Sequence, residues 1–445
     1  MSELVKQLGL FATAAGGVFE LTNMLIIAGA VLMGLIVGAI PGLTGTMALA
    51  LLINITYSMS TSAAVAFMLG VYVGAVSGGL FSAIMLNIPG TPNAAATALD
   101  GYPLAKQGKG GKALFGGVFA SCGGTILSAI LMMIATPFIY KIALKFGKWE
   151  LFLLAIFGIT ICGNLSVDSS PLKGWLGGFI GFFVAMIGVD DIYNGPRFIF
   201  VQGLTSGVEL IPALIGMFGI AEVLCVLMDK TPFKVNSDMG TIFPDKNEFK
   251  QLMGPLVRSS LIGCGIGAIP GSTQAAMFLA ALNLHGVQPG PMLTIKAPTF
   301  MYTVGLTICI ASIVMVLLAL VLTKPMVHIL QINRKVLMPI IVVLTVVGAY
   351  ASRSSMFDIK LMLIFGVIGF VLRKLNFPLA PVTLGLILGG TADTSFRQAL
   401  TQGTMIDLLS RPMGAILIVV VLYSLVSGAI KTVKSTKEEL ANAAK

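Results

Sequence analysis

Charge is scarce in this chain: Asp, Glu, Lys and Arg make up 10% of 445 residues against 56% hydrophobic, and the mean hydropathy is +0.97. A soluble domain carries roughly 25% charged residues, so this scarcity excludes a protein whose whole surface faces water. Histidine is nearly missing, with only His285 and His328, which leaves little for acid–base or metal chemistry. The cysteines Cys122, Cys162, Cys225, Cys264 and Cys309 stand singly in apolar stretches without a CxxC pair. Neither a disulfide framework, a metal site nor a bound cofactor is therefore expected. No GxSxG or HExxH pattern occurs, and the lysine-rich QGKGGKA run fails as a phosphate loop. It has Gln107 where that loop needs glycine and Ala113 where it needs Ser or Thr. The chain is thus expected to be neither an enzyme nor a nucleotide-driven pump, and any energy input should come from an ion gradient. The amino terminus, MSELVKQLGLFATAAGG, lacks the order of a secretory leader, so the first apolar run is expected to remain as a helix.

What the chain does have is apolar sequence in long runs. A bilayer core takes about 20 helical residues, and candidate spans fall at 23–40, 62–86, 113–139, 149–166, 173–189, 208–228, 300–322, 336–351, 357–372 and 412–430. Further apolar pieces lie at 43–57, 255–284 and 379–390. The pattern predicts an all-α polytopic membrane protein with about ten to twelve membrane elements. The net charge of +10 sits in short loops without a basic stripe interleaved with aromatics. Those residues read as topology determinants, and nucleic acid is not expected as a partner.

One long polar stretch, Asp229 to Met253, mixes both charge signs with prolines and has no face able to cross lipid. It divides the chain into a first repeat (1–228), a connecting loop (229–254), a second repeat (255–430) and a charged tail (431–445). The division is supported by a repeated pentapeptide, Gly38-Ala39-Ile40-Pro41-Gly42 and Gly267-Ala268-Ile269-Pro270-Gly271. Such duplication is the pattern of carriers in which broken helices or re-entrant hairpins from two repeats meet at mid-membrane.

Three Pro-Gly pairs interrupt apolar segments: IPGLTGTMALAL from Ile40, LNIPGTPNAAATALDGYP from Leu86 and IPGSTQAAMFLAAL from Ile269. Proline removes a backbone donor and clashes with the preceding turn, while glycine admits backbone conformations closed to other residues. Each pair should therefore stop a helix within the bilayer and leave main-chain groups in need of partners. A helix restarting after Pro41-Gly42, Pro89-Gly90 or Pro270-Gly271 presents free N–H groups and the positive end of its dipole. Hydroxyls of Thr44, Thr46, Thr91, Ser272 and Thr273 and amides of Asn93 and Gln274 stand close by in sequence. A carboxylate can be held there without a buried lysine. Pro-kinks packed by small residues are the plainer alternative at any one of the three.

Asp100 follows the second pair and reads either as a cation-coupling residue or as a cap for the Gly101-Tyr102-Pro103 turn. Lys106, Lys109 and Lys112 suit ordinary loop roles, with attraction of an anion as the alternative. Asp190, Asp191 and Arg197, in GVDDIYNGPRF, are expected to form a loop ion pair rather than a substrate site.

The runs GAIPGLTGTMALALLINITY, GVYVGAVSGGLFSAIMLNIPGTPNAAATALDGYPLAKQGKGGKAL, GVDDIYNGPRFIF and LIGMFGIAEVL together resemble the large membrane permease of bacterial tripartite tricarboxylate transporters. The resemblance extends over essentially the whole chain. It implies an inner-membrane permease that works with a small membrane subunit and a periplasmic solute-binding protein and imports di- or tricarboxylates with Na+ or H+ coupling. It also implies site residues at Pro41, Gly42, Thr44, Gly45, Asn87, Pro89, Gly90, Thr91, Pro92 and Asn93. The composite at Pro270, Gly271, Ser272, Thr273 and Gln274 departs from the family, whose second half usually carries two separate Pro-Gly motifs. An internal deletion of about two membrane crossings is the simplest account, and it leaves open a permease that has lost transport and acts in assembly or sensing.

Overall fold

The computed structural model describes residues 2–40, 43–86, 94–165, 171–190, 192–228, 239–267, 273–287, 293–330, 334–402 and 411–443. These are helical almost throughout. The first stretch runs through α1 (Ser2–Val18), α2 (Leu21–Ala39) and α3 (Gly45–Leu52), which continues into a 3-10 turn at Ile53–Ser58. It goes on through α4 (Thr61–Leu86), α5 (Ala95–Lys106), α6 (Gly110–Ala143), α7 (Lys148–Leu165) and α8 (Pro171–Ala185). A two-residue antiparallel pair, β1 (Gly188–Val189) with β2 (Pro196–Arg197), follows. Then come α9 (Leu210–Leu214), a π turn at Ile215–Ile220, and α10 (Ala221–Met228). The remaining helices are α11 (Lys246–Gly267), α12 (Thr273–Leu284), α13 (Leu293–Lys296), α14 (Phe300–Val321), α15 (Thr323–Ile329), α16 (Arg334–Arg353), α17 (Met356–Lys374), α18 (Leu379–Gln402) and α19 (Pro412–Ala443).

Several expectations need correction. The span placed at 173–189 stops at Ala185, because Gly188 takes φ +132° and enters the short hairpin. The apolar piece at 255–284 is two helices, and the one at 379–390 is only the first half of α18. Residues 101–106 continue α5 with Pro103 inside it, so Gly101-Tyr102-Pro103 is not a turn for Asp100 to cap. The amino-terminal residues form a helix of their own, which long apolar runs do not mark.

Contacts group the chain into two compact units. One comprises 1–143, 222–268 and 281–345; the other comprises 144–221, 269–280 and 346–445. Each therefore draws on residues before and after the polar stretch at 229–254, a grouping by packing that is distinct from the division by sequence repeat.

The first unit is organised by α2 against α4. A Cβ on Gly38 would collide with the Ala75 carbonyl, one on Gly74 with the Val31 carbonyl and one on Gly78 with the Leu35 carbonyl. The two backbones thus touch along their length, which is how helices associate where lipid removes the hydrophobic drive between them. Around this seam a buried core forms from Ile27, Val31, Leu35, Phe81, Ile84, Leu114 and Met315. The second unit repeats the device between α8 and α18. There a Cβ on Gly181 would meet the Val382 carbonyl, and one on Gly385 the Gly178 carbonyl.

Among the described residues, six helical stretches are long and apolar enough to cross a membrane: Leu21–Ala39, Thr61–Leu86, Gly110–Phe138, Leu210–Met228, Phe300–Val321 and Met413–Ile430. The outward faces agree with that. Val343, Leu344 and Val347 of α16, Leu363, Ile364 and Val367 of α17, and Val419, Leu422 and Val426 of α19 are all exposed. Their spacing by three and four residues makes continuous apolar stripes, which water would penalise and lipid accepts.

Candidate functional site at the helix breaks

The three Pro-Gly pairs fall between described helices, and at the first pair both the helix end before it and the restart after it are described. α2 ends at Ala39 with Ile40 extended beyond it (φ −70°, ψ 122°), and α3 starts at Gly45. α4 is described as far as Leu86 and α5 starts at Ala95, while α11 is described as far as Gly267 and α12 from Thr273. Pro41, Gly42, Asn87, Pro89, Gly90, Thr91, Pro92, Asn93, Pro270, Gly271 and Ser272 lie outside the described residues.

At the first break the restart is built by Thr44. Its backbone is extended (φ −82°, ψ 155°), and its Oγ1 accepts a hydrogen bond from the Met47 N–H at 3.3 Å. The first N–H groups of any helix lack intrahelical acceptors. Thr44 satisfies that of Met47, and those of Gly45 and Thr46 belong to the same orphan set. The first six residues of α3 are buried, so water is not their ready partner. Around them, Ile40, Leu43 and Met47 share an apolar cluster with Val223, Val226, Met338 and Ile341. Among the described residues the Gly45 and Thr46 N–H groups have no acceptor, and such donors in an apolar shell strengthen the attraction for an anion.

At the second break α5 folds back onto the end of α4, and Ala83, Ala94 and Ala98 share one buried cluster. A Cβ on Gly101 would run into Ile84. Small residues thus let the returning helix approach closely. At the third, Thr273 and Gln274 open α12.

The charged residues read from sequence fall elsewhere. Asp100 is exposed on α5. Lys106 sits over the Tyr102 ring at 4.7 Å. Lys112 is engaged with Glu248 at 2.8 Å and Asp245 at 3.6 Å, so its charge is already answered.

Asp190 and Arg197 do pair, at 3.1 Å, and Asp191 lies outside the described residues. The pair is half of a larger arrangement that the sequence reading missed. Arg397 of α18 donates to both Asp190 oxygens at 2.7 Å and to Asp393 Oδ1 at 3.2 Å, and Arg197 reaches Asp393 Oδ2 at 3.0 Å. Each carboxylate is shared by both guanidiniums, and the four charges cancel. The Arg397 guanidinium, helped by the N–H groups of Ile192 and Tyr193 and by Arg197, holds the Asp190 carboxyl down at about 2. The neutral quartet ties the short hairpin to α18, with the Arg197 Nε–H buried and without a partner among the described residues. Its signal in sequence was the Asp393/Arg397 spacing of four within an otherwise apolar helix. A second cluster was also missed: Arg353 bridges the buried Asp358 at 2.9 Å and Glu209 at 3.3 Å. Among the described residues no group of three His, Cys, Asp or Glu is placed to hold a metal ion.

Lipid-facing apolar stripes, glycine-zipped helix pairs and helices that stop in apolar sequence define a multi-pass α-helical membrane protein. The profile of the tripartite tricarboxylate transporter TctA family matches residues 24–275 and 268–384. The chain belongs to that family and is a membrane component of tripartite tricarboxylate transport. It is 28% identical over 476 positions, covering 92% of this chain and 94% of the other, to an uncharacterized 52.8 kDa protein in the TAR-I ttuC' 3'region of Agrobacterium vitis. It is 25% identical over 174 positions, 39% of this chain and 72% of the other, to an uncharacterized protein in the TAR-II ttuC' 3'region of the same organism. No solved structure matches it.

Proposed function

We propose that the chain is the permease of a bacterial inner-membrane importer of di- and tricarboxylates. In this reading a periplasmic solute-binding protein delivers the substrate, a small membrane subunit completes the complex, and a Na+ or H+ gradient drives uptake. The carboxylate is held by main-chain N–H groups and neutral side chains at the helix restarts: Thr44 and Gly45 after Pro41-Gly42, Thr91 and Asn93 after Pro89-Gly90 with Asn87 before it, and Ser272, Thr273 and Gln274 after Pro270-Gly271. The observation that carries this reading is the end of α2 at Ala39 and the restart of α3 at Gly45, capped by Thr44 and set in an apolar shell, at the first Pro-Gly pair of a chain of this family. The donors there have the positive sign that a carboxylate needs, without the desolvation cost of a buried lysine. Asp100 is the candidate for cation coupling named by the sequence, though its exposure favours a position at the mouth of a pathway over one inside it.

The test is uptake of radiolabelled di- and tricarboxylates by cells that express the chain with the two partner subunits. Uptake that collapses when the gradient is dissipated supports the reading; no uptake of any carboxylate, with the protein abundant in the membrane, overturns it.

A second reading has its own observation. The two family matches overlap on residues 268–275, so the composite motif serves twice. The 476 positions aligned with the first relative take up 92% of 445 residues, about 409, which leaves about 67 positions without a counterpart here. That length suits two helical crossings and their loops. A permease shortened in this way retains a role in assembly or sensing but loses transport. Purification with the small subunit decides between the two: binding without any carboxylate-dependent stabilisation favours the second.

A further inference from the structure

Between α8 and α9, the β1–β2 hairpin and the turn after it set Val189, Tyr193, Phe198, Phe200 and Val201 outward, Phe200 with 82% of its surface uncovered. Arg197 is the one charged residue from 192 to 208, and it is committed to Asp190 and Asp393. The exposed side chains of this stretch therefore carry no free charge. They are also held in place. The ion-pair quartet fastens the hairpin to α18, and the Val189 N–H donates to the Thr205 carbonyl at 3.3 Å. Gly203 lies so close to the Phe357 ring of α17 that a Cβ would collide with it. Phe198 takes φ +52°, a left-handed conformation that is unfavourable for a bulky residue. An aqueous surface penalises ordered apolar side chains displayed in this way.

The level of the hairpin follows from the helices beside it. Close approaches step from Gly181 against Val382 to Ala185 against Gly389, so α18 runs in the same direction as α8 and passes its end at Gly389. Asp393 comes four residues later, about 6 Å along the axis, and there the quartet receives the hairpin. On its outward face α8 exposes Leu172, Leu176, Phe179, Ile180 and Phe183 as one stripe at helical spacing. The Phe198 ring meets that of Phe183 with 4.9 Å between centroids. The hairpin thus prolongs an apolar stripe past the last turn of its helix, at the level where charged side chains begin.

We propose that this hairpin is an interfacial anchor, with Phe198, Phe200 and Val201 entering the lipid where head groups give way to acyl chains. α8 has 15 residues, about 22 Å, against a hydrocarbon core of about 30 Å, so its stripe alone falls short of the bilayer face. The hairpin supplies the missing apolar surface at that end. The Arg397 guanidinium lies over the Tyr193 ring at 5.7 Å, which places an aromatic ring with a polar tip at the same level, as in the aromatic belts of membrane proteins. Lipid is favoured over a protein partner because the patch is continuous with the α8 stripe and its side chains offer no charge to recognise.

The inference does not depend on transport, and its test involves none. In a cysteine-free full chain, Phe200→Cys and, separately, Val201→Cys are labelled with bimane and reconstituted into phosphatidylcholine vesicles. Both positions are exposed, so neither change removes packing. Fluorescence is read with bromine on the acyl chains near the head group, with bromine near the chain ends, and with iodide in the water. Val419→Cys on the α19 stripe reports lipid, and the exposed Asn247→Cys reports water. The expected result at both hairpin positions is loss of fluorescence in brominated lipid, greatest with bromine near the head group. Quenching by iodide with none by brominated lipid overturns the proposal and leaves a loop in water. Quenching by neither also overturns it, and means that protein, in these vesicles a second copy of the chain, covers the patch.

Discussion

At the residue scale, Thr44 carries both a structural and a functional load. Its hydroxyl closes the first turn of α3, so Thr44→Ala should cost about 1 kcal/mol of local stability while Thr44→Ser restores it. On the proposed reading the Ala variant also loses carboxylate uptake at unchanged membrane abundance, which immunoblotting of membranes alongside uptake would check. Asp190 gives a pH prediction. Its carboxyl is lowered from 3.8 to about 2 in the folded state, so its contribution is complete above about pH 4 and fades as the pH falls towards 2. The thermal midpoint of wild type should therefore drop more steeply between pH 5 and pH 2.5 than that of Asp190→Asn, and parallel curves would remove the quartet from the account. The Asp190–Arg197 half was legible because seven residues separate the partners in one loop. The Asp393–Arg397 half was not, because it joins that loop from about 200 residues away.

At the scale of elements, nearly every long apolar run became a helix, since main-chain groups in lipid have no other partners. What escaped was local. The amino-terminal helix α1 was missed because it is amphipathic rather than uniformly apolar, and the β1–β2 turn because two residues per strand leave no period to detect. The glycine seams were visible as composition but acquired meaning only when α2 was found against α4. Gly74→Val should separate these helices at a cost of about 3 kcal/mol, because its side chain would meet the Val31 carbonyl and the Leu35 N–H. Gly29, also on α2, has open space where a methyl group would project, with no atom within 4 Å. Gly29→Ala should be neutral or stabilising by up to about 1 kcal/mol. Size-exclusion profiles after graded heating distinguish the two, and equal losses would mean that the seam is not the close contact described.

At the scale of the molecule, the sequence suggested two halves joined by a polar stretch, while packing makes two units that each take residues from both halves. Order along the chain could not foretell this, since which helices pair depends on which faces carry glycine and which meet lipid. The family was legible from the IPGTPNAAATALDGYPLAKQGK run, and the match over 24–384 places the chain in it. The chemistry of the helix breaks remains the claim on which the functional reading stands. Its most direct measurement is maleimide labelling of single cysteines introduced as Asn93→Cys, Thr44→Cys and Gln274→Cys in an otherwise cysteine-free chain, with and without citrate and other di- and tricarboxylates. The account predicts that a transported carboxylate slows labelling at these positions and leaves an exposed control, Asn247→Cys, unchanged; labelling at all three that ignores every carboxylate would contradict it.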